Sequence, residues 1–219
     1  MAKIGVVLSG CGVYDGSEIH ETVCVLLALD RAGVEAVCMA PNIDQAVINH
    51  LTGEEISGMT RNVLEESARI ARGNIKDIAD VNASDLDALI IPGGFGAAKN
   101  LCTFASKGAD CEVNPEVARL IRDIVAAMKP LAAICIAPVL LSKVLGEDKL
   151  GHKLTIGTDK ATAETLETMG SQHVDCPVDK FVIDTENKLI STPGYMLAGS
   201  IKEAAEGIEK TVQELLRMI

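Results

Sequence analysis

The chain has 219 residues, with 20 Lys+Arg against 31 Asp+Glu, a formal net charge of −11 and a pI near 4.8. That acidic balance argues against a nucleic-acid partner, which needs clustered cations, and no apolar run reaches the roughly 18 residues of a membrane span. Phe, Tyr and Trp make only 2% of a chain that is 48% hydrophobic, so the core must be built from Ala, Val, Leu and Ile.

Lys3–Ser9 reads as a buried strand, short, β-branched and followed by glycines, rather than as a targeting segment. Gly10–Gly16 is a loop. Ser17 is the expected cap of a helix from Glu18 to Ala32, closed by Gly33 and apolar on most sides between Val23 and Leu29, hence deeply packed. Val34–Met39 is the second strand, stopped by Pro41. Residues 43–85 read as an insertion on a core α/β unit, a cap or subunit contact, with one amphipathic helix at Asn62–Arg72. Ala88–Ile91 is a strand ending in Pro92-Gly93-Gly94, with a short helix near Ala97–Phe104. Asn114 and Pro115 start another helix, running to Ala127. Leu131–Ile134 is a strand, and Pro138–Leu145 a helix directly after it. Lys153–Ile156 is a strand and Thr162–Met169 a helix stopped by Gly170. Phe181–Asp184 and Lys188–Ser191 read as a hairpin, and Tyr195–Met218 as a long terminal helix. Strands alternating with helices predict a single α/β domain whose parallel sheet is covered on both faces.

Seven cysteines, at 11, 24, 38, 102, 111, 135 and 176, are odd in number and contain no CxxC pair. Neither a disulfide framework nor a zinc ribbon is indicated, and a reducing cytoplasm fits best. Cys135 stands out because it lies between a strand end and a helix start, with Ala133 two residues before it and Ala137 two after. A tight strand–helix turn that lifts a nucleophile needs small flanking residues of this kind. The helix N-terminus is expected to lower the thiol pKa and favour thiolate.

Pro92-Gly93-Gly94-Phe95-Gly96 ends a neighbouring strand, where glycine amides can approach a ligand oxygen; with the Ile136 amide, Gly93 and Gly94 are the expected oxyanion donors. Glu18 and Glu21 open the first helix. Glu18 reads as a capping group, and Glu21, next to the apolar run, as the carboxyl that is buried beside the thiol and able to shuttle protons near neutrality. Gly10-x-Gly12-x-x-x-Gly16 is one residue too long for a dinucleotide fingerprint. His20, Glu21 and Cys24 lack a further cluster that would close a metal site. No cofactor and no metal is called for. His50, His152 and His173 read as surface or capping residues.

ICIAP at a strand end, GGFG before it and SEIHETV in the first helix resemble the class I glutamine amidotransferase-like superfamily. That superfamily includes the Parkinson-disease-associated deglycase and the PfpI-type intracellular peptidases. Longer stretches, SGCGVYDGSEIHE, INHLTGE, PGGFGAAKNL, LTIGTD and CPVD, resemble the bacterial isoprenoid biosynthesis proteins with amidotransferase-like domain, a glyoxalase family also called enhancing lycopene biosynthesis protein 2. The match spans nearly the whole chain.

The resemblance implies one domain over residues 1–219 with a flavodoxin-like three-layer α/β/α sandwich and a nucleophile elbow. It implies Cys135 as nucleophile and Glu21 as its carboxylate partner, and glutathione-independent conversion of glyoxal to glycolate in a cytoplasmic homodimer. The His that follows the nucleophile in PfpI-type peptidases is Ile136 here, and no His follows His173. Peptidase and glutaminase chemistry therefore lack a base. The competing readings are a cysteine-based redox sensor without turnover, and an amidotransferase-like subunit in isoprenoid biosynthesis.

Overall fold

The computed structural model describes residues 1–219. Seven strands make the central sheet: β1 (Lys3–Val7), β2 (Glu35–Ala40), β5 (Lys76–Asp77), β6 (Ala88–Ile91), β7 (Leu131–Ile134), β10 (Val182–Asp184) and β11 (Leu189–Thr192). Their order is β10-β11-β7-β6-β1-β2-β5, and every neighbouring pair is parallel except β10 with β11. Successive side chains of a strand point to opposite faces, and the two cores follow that alternation. Ile4, Val6, Ala88, Ile90, Ala132 and Ile134 face one core. Val7, Leu89, Ile91, Leu131 and Ala133 face the other.

The first core is closed by α1 (Ile19–Arg31), α2 (Val63–Ile70) and α8 (Ile201–Arg217), through Val25, Leu29, Val63, Ile208 and Val212. The second is closed by α5 (Pro115–Ala126), α6 (Pro138–Glu147) and α7 (Lys160–Thr168), through Leu120, Ile124, Leu140, Leu141 and Leu166. The result is a three-layer α/β/α sandwich with aliphatic cores. Two short helices, α3 (Phe95–Lys99) and α4 (Phe104–Lys107), replace the one expected between them.

Several expectations are corrected. Helix α1 is capped by Glu18, whose carboxylate accepts the Glu21 N–H at 2.7 Å, because Ser17 turns inward to accept the Ser9 N–H at 2.8 Å. The helix is not packed on most sides: Ile19, Val23 and Leu27, spaced i, i+4, i+8, are each more than 40% exposed. The strand expected at Lys153–Ile156 shrinks to β8 (Lys153–Leu154), which pairs with β9 (Gln172–His173) outside the main sheet. Side chains stand in for the missing ladder there: Asp184 accepts the Lys153 N–H at 2.9 Å and Ser191 the Thr155 N–H at 2.8 Å. The terminal helix starts at Ile201, because Gly194–Met196 forms a 3-10 turn instead.

The 43–85 region contains a hairpin that periodicity did not suggest, β3 (Asp44–Asn49) with β4 (Glu54–Asn62), followed by α2 and the sheet-edge strand β5. The hairpin anchors the Gly10–Gly16 loop. The buried Asp15 carboxylate accepts the Ile48 N–H at 2.8 Å, Gln45 donates to the Asp15 carbonyl at 3.0 Å, and His50 accepts the Tyr14 N–H at 3.2 Å. His152 and His173 are not surface residues. His152 is fully buried, and the Ile156 N–H donates to His173 Nε2 at 3.3 Å.

Candidate active site

The C-terminal ends of β6, β7 and β11 converge on Cys135. Its φ is +62°, a left-handed conformation that a Cβ-bearing residue rarely adopts and that costs of order 1–3 kcal/mol. The turn is held from both sides: the Cys135 N–H donates to the Thr192 carbonyl at 2.9 Å and the Ala137 N–H to the Ile134 carbonyl at 3.0 Å. Ala133 and Ala137 are completely buried, so bulkier side chains on either flank would separate β7 from α6. The thiol is 7% exposed at the floor of a cleft of about 560 Å³.

Glu21 lies behind the thiol with no solvent exposure. One carboxylate oxygen accepts the Gly93 N–H at 2.9 Å and the other the Tyr195 N–H at 2.8 Å, and the carboxyl and the Cys135 sulfur both crowd the same face of Gly93. Two glycines make room for it. A Cβ on Gly93 would sit 2.7 Å from Glu21 Oε2 and 3.0 Å from Cys135 Sγ, and one on Gly194 would collide with Glu21 Oε1. Burial, with a further contribution from the Glu18 charge, pushes the Glu21 pKa up to about 7 against the pull of the two amides and the thiol.

The thiol is pushed well above its ordinary pKa by burial and by the facing Glu21 charge. The Gly94 and Ile136 amides beside the sulfur pull it the other way and are outweighed. The expectation of a resting thiolate is therefore corrected: desolvation and a like charge exceed what one helix N-terminus supplies. The carboxyl beside the thiol titrates near neutrality instead. That arrangement places a base beside the thiol although no His stands near it in the sequence.

The five expected site residues come together, with one change of role. The Gly93 N–H is already engaged by Glu21 and is not free to hold an oxyanion, which leaves the Gly94 and Ile136 amides facing the sulfur. Two further groups line the cleft, Glu18 and Tyr195. Glu18 does cap the helix, and it also faces the cleft. Tyr195 follows β11 in a Pro-Gly-Tyr turn and its hydroxyl meets His20 Nδ1 at 2.9 Å. The signal for it was available, since Pro193-Gly194 after a strand repeats the pattern of Pro92-Gly93. No three His, Cys, Asp or Glu side chains converge as a metal cluster, and no helix is long and apolar enough to cross a membrane.

A nucleophile elbow at the C-terminal edge of a mostly parallel sheet, with a buried acidic partner from the first helix, defines a class I glutamine amidotransferase-like fold. The DJ-1/PfpI family model matches residues 11–194, and the chain belongs to that family. It is 45% identical over 223 residues to human glutamine amidotransferase-like class 1 domain-containing protein 3, mitochondrial, covering 99% of this chain and 83% of that one. It is 44% identical to the rat ES1 protein homolog, mitochondrial, covering 99% and 84%. Among solved structures, the isoprenoid biosynthesis protein with amidotransferase-like domain from Ehrlichia chaffeensis superposes with a TM-score of 0.92 at 38% identity, covering 99% of this chain and all of that one.

Proposed function

We propose that the protein is a cofactor-independent, glutathione-independent glyoxalase that converts glyoxal to glycolate through a cysteine hemithioacetal. The observation that carries this reading is the fully buried Glu21 carboxyl, pushed up to about 7 by burial, set against Gly93 beside a cysteine on a strained strand–helix turn. A thiol of raised pKa needs a base at the moment of attack, and a carboxylate that takes its proton near neutrality is one.

Sγ attacks one aldehyde carbon as the thiol proton passes to Glu21. The developing oxyanion lies near the sulfur, where the Gly94 and Ile136 amides point. Glu21 returns the proton to give the hemithioacetal. As carboxylate it then takes the C–H proton, giving an enediol, and delivers it to the neighbouring carbon, leaving a thioester of glycolate. Water cleaves the thioester, releasing glycolate and the free thiol. The sum is glyoxal plus water to glycolate, with no net redox change and no outside acceptor.

The redox-sensor reading is less favoured, because a sensor relies on a resting thiolate, while burial and the Glu21 charge push the Cys135 thiol up. We infer a reducing compartment: the cytoplasm fits the thiol usage, and the mammalian relatives carry mitochondrial names. We infer a homodimer as the assembly, from the apolar stripe that α1 leaves at the surface. The decisive experiment is glyoxal turnover, followed as glycolate, by wild type and Cys135→Ala. Turnover that disappears in the variant is the expected result, and equal rates would discard the mechanism.

A further inference from the structure

The chain has only five aromatic residues, Tyr14, Phe95, Phe104, Phe181 and Tyr195. Rings are the bulkiest apolar groups available to a core, yet no ring is among the buried core residues, and Phe104, Phe181 and Tyr195 pack only at the cores' edges. Three of the five rings, Phe95, Phe104 and Tyr195, line the cleft over Cys135. A fourth, Tyr14, packs against Phe95 with centroids 6.4 Å apart. Tyr14 and Phe95 are 39% and 49% exposed, so they leave contact area open that no part of the chain covers.

The cleft is also too large for the small dicarbonyl. Its volume of about 560 Å³ falls within the roughly 300–1,000 Å³ of sites that enclose drug-sized ligands. Glyoxal has only four non-hydrogen atoms and would leave most of that space, including the walls formed by Val13, Ile136 and Met196, to water. The charge around it is one-sided. Glu18 and Asp159 line the cleft, and no Lys, Arg or His does. Lys99, the cation beside its mouth, is engaged: its ammonium donates to the Tyr14 carbonyl at 3.0 Å and lies 5.4 Å from the Phe95 ring centre.

We infer that the cleft takes an aldehyde carrying an aromatic substituent that is uncharged or cationic, and that it discriminates against anionic ones. This inference rests on the aldehyde reading of Cys135 for its chemistry and on the rings and charges for its selectivity. A ring packed against the cleft's Phe95, Phe104 and Tyr195 supplies contacts remote from the reacting carbon, which can be used to orient the aldehyde over the sulfur. A carboxylate or phosphate on the same substituent would be brought against the buried Glu18 and the exposed Asp159, while the nearby His20 is turned to the Tyr195 hydroxyl at 2.9 Å and to Glu18 at 4.0 Å.

Two measurements separate the binding inference from the catalytic one. The first compares kcat/KM of the full chain for glyoxal, phenylglyoxal and 4-carboxyphenylglyoxal. Phenylglyoxal is expected to exceed glyoxal at least tenfold and its carboxylated analogue by a similar factor, with the second gap narrowing in Asp159→Asn, which keeps a capping oxygen for α7. The second measures protection of Cys135 from iodoacetamide by unreactive ketones. Acetophenone is expected to protect at concentrations at least tenfold below acetone, and Phe95→Ala is expected to remove most of that advantage. Protection by acetophenone without any turnover would keep the aromatic site and overturn the glyoxalase reading. Turnover of glyoxal matching or exceeding phenylglyoxal, with no protection by acetophenone, would overturn the aromatic site and leave the glyoxalase reading standing.

Discussion

Replacing Glu21 by Gln removes one charge at nearly constant shape, and the structure gives the size of the effect on Cys135. Glu21 Oε2 and Cys135 Sγ lie 2.7 and 3.0 Å from the point a Gly93 Cβ would occupy, so they are less than about 6 Å apart. At an effective dielectric constant of about 20, a unit charge at that distance is worth about 3 kcal/mol. Glu21→Gln should therefore lower the thiol pKa, toward the range set by burial and the Gly94 and Ile136 amides alone. Iodoacetamide labelling of Cys135, followed by peptide mass spectrometry across the pH range, reads this directly. Turnover should move the opposite way. A more acidic thiol with no base beside it should convert glyoxal at least about tenfold more slowly, since proton transfer by a positioned group is typically worth about 10²–10⁴. Thus the variant labels more readily at neutral pH and catalyses less. A labelling profile unchanged from wild type would show that the carboxylate charge does not act on the sulfur. An unchanged turnover rate would show that the proton goes elsewhere.

The same carboxyl and His152 impose opposite pH dependences on stability. Glu21 titrates near 7 in the fold against 4.5 for the ordinary carboxyl, so between those values the native state holds a proton the unfolded chain has lost. Stability from this group falls as pH rises through that window, by up to about 3 kcal/mol. His152, fully buried with its Nδ1 unpartnered, is pushed by burial down to about 4 from 6.5, so the unfolded chain binds the proton first. Its contribution is complete above pH 6.5 and is lost as pH falls toward 4, again by up to about 3 kcal/mol. Urea denaturation at pH 7.5 and 5 should show Glu21→Gln losing more stability on acidification than wild type does, and His152→Phe losing less; parallel shifts in both variants would refute the assignment. Gly93→Ala places a methyl against both Cys135 and Glu21 and should cost about 1–3 kcal/mol, measured as a lower urea midpoint, together with loss of turnover. An unperturbed variant would mean that the carboxyl and thiol do not press on that glycine.

The alternation of short β-branched strands with capped helices is local information, and it was enough for a mostly parallel sheet covered on both faces. The same holds for the elbow, because its steric demand falls on Ala133 and Ala137, close to Cys135 in the chain. Glu21 was legible for a similar reason, as an acid at the edge of an apolar run on one helix. The β3–β4 hairpin was not, since every residue of β4 up to Arg61 is exposed and exposed strands carry no apolar period. The exposed face of α1 was hidden by its composition. Ile19, Val23 and Leu27 look like core residues until the position of the sheet says which side of the helix it covers. Tertiary structure alone decided the two facts on which the chemistry turns. Glu21 and Cys135 are 114 positions apart, and only the stacking of α1 against the ends of β6, β7 and β11 closes the distance. The desolvation that raises both pKa values, and thereby makes the carboxyl a base for the thiol at neutral pH, depends on what surrounds each group in space. Residue type and spacing carry no measure of that environment.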